Sequence, residues 1–130
     1  MIVADTDVLI DALAGRGGAA ALIEELIRSR RLASTAITRL ELGVGIRGKP
    51  EEERIGRFLA AIPILAFDGD AARLAAQVGA ALGREGRTIA LADLAISGIC
   101  LSLDAPLLTR NRAHFERVPG LRLARLPDDE

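Results

Sequence analysis

The stretch MIVADTDVLI, residues 1–10, runs apolar for four positions, meets two aspartates at Asp5 and Asp7, and turns apolar again. Four apolar residues closed by polar ones have the length of a buried strand rather than a helix. Similar short runs recur at 32–36 (LASTA), 62–67 (IPILAF), 106–109 (PLLT) and 121–124 (LRLA). Helical patterns lie between them. AALIEELIRSR, residues 20–30, places Leu22, Ile23, Leu26 and Ile27 on one face, which can serve the core or a partner. PEEERIGRFLAAI, residues 50–62, opens with Pro50 and three glutamates, the composition of a first helical turn. DAARLAAQVGAALGRE, residues 70–85, is a third helix. Strands alternating with helices predict an α/β fold, a mostly parallel sheet covered on both faces. One domain over 1–126 is expected, with a frayed tail at 127–130.

Composition narrows the classes of function. The 130 residues are 50% hydrophobic and 27% charged, enough for one packed core, and the formal net charge of −1 argues against coating nucleic acid by bulk electrostatics. No Trp or Tyr is present, so any nucleic acid would be held by backbone and shape more than by base stacking. The single cysteine, Cys100, cannot form an internal disulfide, and the most apolar window is interrupted by Asp93. A soluble, cytoplasmic protein that does not use a membrane is expected.

In such a fold, ligands bind beyond the carboxyl ends of the strands. Four polar residues fall there: Asp5 after the first strand, Glu41 in TAITRLELGVG (35–45), Asp93 in TIALADLAISG (88–98) and Asn111 in LLTRNRAHF (107–115). For Asp93 the connection GREGRTIA, residues 83–90, must climb back along the preceding helix; eight extended residues reach roughly 26 Å, and a 16-residue helix is about 24 Å long. Each of the four, taken alone, is more readily read as a helix cap, and Glu41 three after Thr38 fits a capping box. Their joint placement favours a site. Asp93 and Glu41 sit among apolar neighbours, where unpaired carboxylates are costly, and carboxylates gathered at one edge repel unless a cation is shared. A hard ion such as Mg²⁺ resolves that conflict and suits phosphodiester hydrolysis.

The segments MIVADTDVLIDAL, TAITRLELGVG, TIALADLAISG and PLLTRNRAHFERVPGLRL, in this order and spacing, resemble the PIN-domain ribonucleases, specifically the VapC-type toxins of toxin–antitoxin pairs. The resemblance covers roughly residues 1–126. It implies a three-layer α/β/α PIN-like domain with a mostly parallel sheet of four to five strands, which binds Mg²⁺ or Mn²⁺ and cleaves single-stranded or loop RNA. It also implies a VapB-type antitoxin that blocks the site, and a homodimer. By matching positions, Asp5, Glu41 and Asp93 become metal ligands and, with Asn111, catalytic residues; asparagine stands where the family commonly has aspartate.

Other polar residues carry weaker expectations. Arg110 and Arg112 flank Asn111 and are the candidates for RNA phosphate, against a solvated face as the alternative. Thr6 and Thr109 flank acidic positions, though strand-end threonines more often form turns. Asp7 and Asp11 are expected as solvated first-turn residues of the helix after the first strand. With strand order 3-2-1-4-5 the third strand is an edge, so Asp68 and Asp70 are expected as caps. His114 is read as packing or orienting near the edge and not as a general base. Three rivals remain for comparison. DTDVL resembles the nucleophile motif of haloacid-dehalogenase-type phosphatases, and the length and early acids suit a receiver domain, but both need a lysine where Lys49, the single lysine, does not lie. The third is a PIN-like scaffold of little or no activity that only binds RNA or protein.

Overall fold

The structure is a computed structural model and describes residues 1–127, so the tail expected at 127–130 lies outside the described residues from position 128 on. Strand β1 (Ile2–Ala4) leads into α1 (Thr6–Leu13) and α2 (Gly17–Arg28). Strand β2 (Leu32–Thr35) precedes α3 (Ala36–Val44) and α4 (Lys49–Ala60). Then come β3 (Ile64–Leu65), α5 (Gly69–Arg84), α6 (Leu91–Leu103), β4 (Leu107–Leu108) and the single-turn α7 (Arg112–Phe115).

The strands pair in parallel in the order β3-β2-β1-β4, with Val3 opposite both Ala33 and Leu107. The run 121–124 takes the fifth place but forms one parallel bridge, Leu123 to Leu107, rather than a strand. The Ala124 carbonyl, which would receive the next ladder bond, accepts from Arg112 Nη1 at 2.9 Å.

Alternation along the strands divides the core into two layers. Ala4, Leu32 and Leu108 face α1, α2, α3 and α4, whereas Val3 and Leu107 face Ile96, Cys100 and Phe115. The face of α2 settles in the protein's own core: Ile23 and Leu26 are buried, each contributing roughly 1.5–3 kcal/mol, and Leu22 and Ile27 pack beside them. Helix α6 is apolar on most of its circumference, with Ala95 to Cys100 all buried, as befits a helix packed between the sheet and α5. Its contact with α5 depends on Gly98, where a Cβ would stand 2.2 Å from the Ala71 carbonyl oxygen.

Candidate active site

Each acidic residue reaches the carboxyl edge of the sheet by a different local device. The chain turns at Asp5 from β1 into α1, and Asp5 serves as N-cap, accepting from the Thr6 N–H at 2.8 Å. Helix α3 is capped by Thr35, which accepts from the Thr38 N–H; the expected capping box of Thr38 with Glu41 does not form. Glu41, well inside α3, is therefore available to the edge. Asp93 sits in the first turn of α6 behind Ala90, an N-cap position with no side-chain cap bond. The connection between α5 and α6 does carry the chain back. Asn111 precedes α7 without capping it; its Nδ2 lies 2.7 Å from His114 Nδ1.

The site is anchored by threonine hydroxyls. Thr109, fully buried, donates to Asp5 Oδ2 at 2.7 Å and accepts from the Asn111 N–H at 3.0 Å. Thr6 donates to Glu41 Oε1 at 2.7 Å and lies 2.9 Å from the Thr38 hydroxyl. Thr6 and Thr109 thus act as more than turn formers. Thr38 was legible only as a cap; a hydroxyl one turn before a glutamate on the same helix face is the signal that could have marked it.

Burial and mutual repulsion shape the electrostatics. Asp5 is only 6% exposed, and burial pushes its carboxyl up to about 6, opposed by the Thr109 hydrogen bond and reinforced by the charges of Asp7 and Asp93. Asp93, its side chain 19% exposed, is also raised by burial; His114, with Nδ1 3.8 Å away, opposes the rise and Glu41 adds to it. Glu41 itself is exposed at the rim, contrary to the half-buried position expected, because its helix face turns outward beyond Leu42.

Asp7 and Asp11 differ from the solvated role expected of them. Asp7 is half-buried, accepts from the Arg110 N–H at 3.2 Å, and is raised chiefly by burial. Asp11 takes Arg110 Nε at 3.1 Å and Arg16 Nη1 at 3.3 Å. Helix α1 therefore holds the loop after β4, and Arg110 is part of that clamp. Arg112 likewise reaches Ala124 and Glu116. Asp68 caps α5, and Asp70 pairs with Arg73 on the surface, both away from the cluster as the edge position of β3 requires.

The raised Asp5 carboxyl makes stability depend on pH. Its folded value of about 6 lies above the ordinary 3.8, so its contribution is full below about pH 4 and is lost as pH rises through 6. In chelator-treated protein, urea unfolding should show a loss of about 2–3 kcal/mol from this group between pH 4 and pH 7.5. Asp5→Asn should flatten that slope; an unchanged slope would show that Asp5 is not the group responsible.

Among the described residues, no three His, Cys, Asp or Glu side chains converge closely enough to hold a metal ion by themselves. A Mg²⁺-like ion needs only one or two carboxylates and retains waters for the rest. The candidate ligands Asp5, Glu41 and Asp93 all offer carboxylate oxygens, and the upward shifts of Asp5 and Asp93 arise partly from neighbouring negative charge. These residues fit a hard divalent cation.

A parallel sheet with an acidic carboxyl edge defines a class, and sequence comparison agrees with it: the PIN domain model matches residues 2–121. The chain is 31% identical over 119 residues to Ribonuclease VapC19 of Mycobacterium tuberculosis, covering 91% of this chain and 94% of that one. It is 33% identical over 96 residues to the tRNA(fMet)-specific endonuclease VapC of Shigella flexneri, covering 71% and 73%. The solved DNA-bound VapBC from Salmonella typhimurium superposes with a TM-score of 0.83 at 26% identity, over 95% of this chain and 96% of that one. The chain belongs to the PIN domain family and, within it, groups with the VapC proteins.

Proposed function

We propose that this chain is a divalent-metal-dependent endoribonuclease, the toxin of a VapBC-type toxin–antitoxin pair acting in the cytoplasm. The observation that carries the reading is that Asp5, Glu41 and Asp93, from three separate segments, gather at one sheet edge with threonine hydroxyls holding two of them, the buried Thr109 on Asp5 and Thr6 on Glu41. Asp5 and Asp93, with Glu41, are the residues that would hold Mg²⁺ or Mn²⁺. A bound ion supplies Lewis acidity for hydrolysis of the phosphodiester.

The protein's own groups do the positioning. Thr109 keeps the Asp5 carboxylate turned to the edge, and Thr6 does the same for Glu41. Glu41, exposed at the rim, is placed to accept a proton from the attacking water or to ligate. Asn111, neutral and tied to His114, orients without adding charge. Arg110 and Arg112 border Asn111 and are proposed to meet the RNA phosphates while also holding their loop.

Exposed apolar side chains support the partner part of the proposal. A groove of about 540 Å³ between α3, α5 and α6 is lined by Leu40, Phe67, Leu91 and Glu41. Leu40 is 63% and Leu91 83% exposed, a surface suited to an antitoxin or a second copy of the chain. Among the described residues no helix is long and apolar enough to cross a membrane.

Sequencing RNA 5′ ends after induction tests activity and target together. New ends at a small set of sites, absent when the antitoxin is co-expressed and absent in vitro with EDTA, are the expected outcome. Soluble wild-type protein that generates no new ends and whose melting temperature ignores Mg²⁺ and Mn²⁺ would instead identify a binding module.

A further inference from the structure

The hydroxyl of Thr38 is fully buried yet lies 2.9 Å from Thr6, which touches two of the three carboxylates. Each hydroxyl has one hydrogen to donate, and a carboxylate only accepts. At 2.7 Å from Glu41 Oε1, the Thr6 hydrogen points to Glu41. The contact between Thr6 and Thr38 then requires Thr38 to be the donor. The other oxygen near Thr38, Thr35 Oγ1, is 3.4 Å away and already accepts the Thr38 N–H at 3.1 Å. The order Thr38 to Thr6 to Glu41 is thereby set by the anion at its end, and each link polarises the next.

We propose that Thr38 is a positioning residue for the divalent ion: acting through Thr6, it fixes the direction in which Glu41 presents its carboxylate. The proposal rests on the metal-dependent reading above. Its physical basis is the freedom of the side chain it restrains. Glu41 is exposed, and an unrestrained glutamate loses rotamer entropy when it closes on an ion. A Thr6 hydroxyl held in one orientation from below removes part of that cost before the ion arrives. Thr6 also donates its N–H to Asp5, so the same residue ties the end of β1 to α3.

The test is a Mn²⁺ titration followed by thermal shift, on chelator-stripped full-length protein, for wild type, Thr38→Val, Thr38→Ser, Thr38→Ala and Glu41→Gln. Thr38→Val should raise the Mn²⁺ midpoint roughly tenfold, in the range of second-sphere substitutions. Thr38→Ser should restore it to within about twofold of wild type on the same grounds. Adding Thr38→Val to Glu41→Gln should produce no further rise, because the effect passes through Glu41. A purely structural role would lower the metal-free melting temperature and leave the midpoint where it was, overturning the proposal. Additive effects in the double variant would overturn the route through Glu41. Should Thr38→Val not fold, the Thr38→Ala midpoint decides in its place, because it removes the same hydroxyl and leaves Thr6 intact. A flat wild-type titration would overturn the metal reading and this inference together; a normal wild-type response with an unmoved Thr38→Val midpoint overturns this inference alone.

Discussion

Asp93→Asn is expected to lower RNA cleavage on the order of 10²–10⁴-fold while leaving the fold intact. The size follows from the loss of a negative charge in a partly desolvated position facing Glu41 and Asp5, where charge interactions are strong. The intact fold follows from what Asp93 does not do: it makes no cap bond to α6, whose N-cap is Ala90. Asparagine retains the shape and relieves repulsion, so the melting temperature should hold or rise. Glu24→Gln, an exposed charge change on α2, serves as the control and should cleave like wild type. Single-turnover cleavage of an RNA identified by end sequencing is the measurement. An Asp93→Asn protein within threefold of wild type would remove Asp93 from the site.

Gly98→Ala carries the largest expected cost in stability. The added methyl would stand 2.2 Å from the Ala71 carbonyl oxygen and 2.9 Å from Ala75 Cβ, so α5 and α6 must separate. The first obstacle is backbone and cannot swing aside. Overpacking of this kind outweighs the better helix propensity of alanine, and a net loss of about 2–4 kcal/mol is expected. For a domain of this size that is a drop in melting temperature of roughly 10 °C. Because Asp93 lies on the same helix, cleavage should fall even at temperatures where the variant is folded. Gly56→Ala, within α4 and with nothing within 4 Å of the new methyl, should instead stabilise by about 0.5–1 kcal/mol. Equal melting temperatures for the two variants would show that the contact between α5 and α6 is softer than the geometry requires.

Asp5 and Asp7 illustrate how far sequence reasoning reaches. Two residues apart after one strand, they differ in what closes over them. Asp5 is covered by Thr109, 104 residues away in the chain, and Asp7 by the Arg110 backbone from the same loop. The ordering of β4 beside β1 creates both contacts, and no local pattern around residue 5 encodes them. Glu41 shows the opposite failure. Its apolar neighbours suggested partial burial, yet helical periodicity turned Leu42 inward and left Glu41 at the rim.

By itself the sequence determined the alternation of strands and helices and singled out Asp5, Glu41 and Asp93 as companions at one edge of the sheet, whereas the strand order with β3 outermost came from the structure. Apolar periodicity and turn chemistry act within a few residues, and they are written locally. Tertiary structure decided which hydroxyls hold those carboxylates, that the fifth strand shrinks to one bridge, and that Arg110 and Arg112 clamp their own loop. It also set the Asp5 carboxyl near 6. Each of these depends on burial and on partners brought from distant parts of the chain, and desolvation exists only once the core has closed around the group.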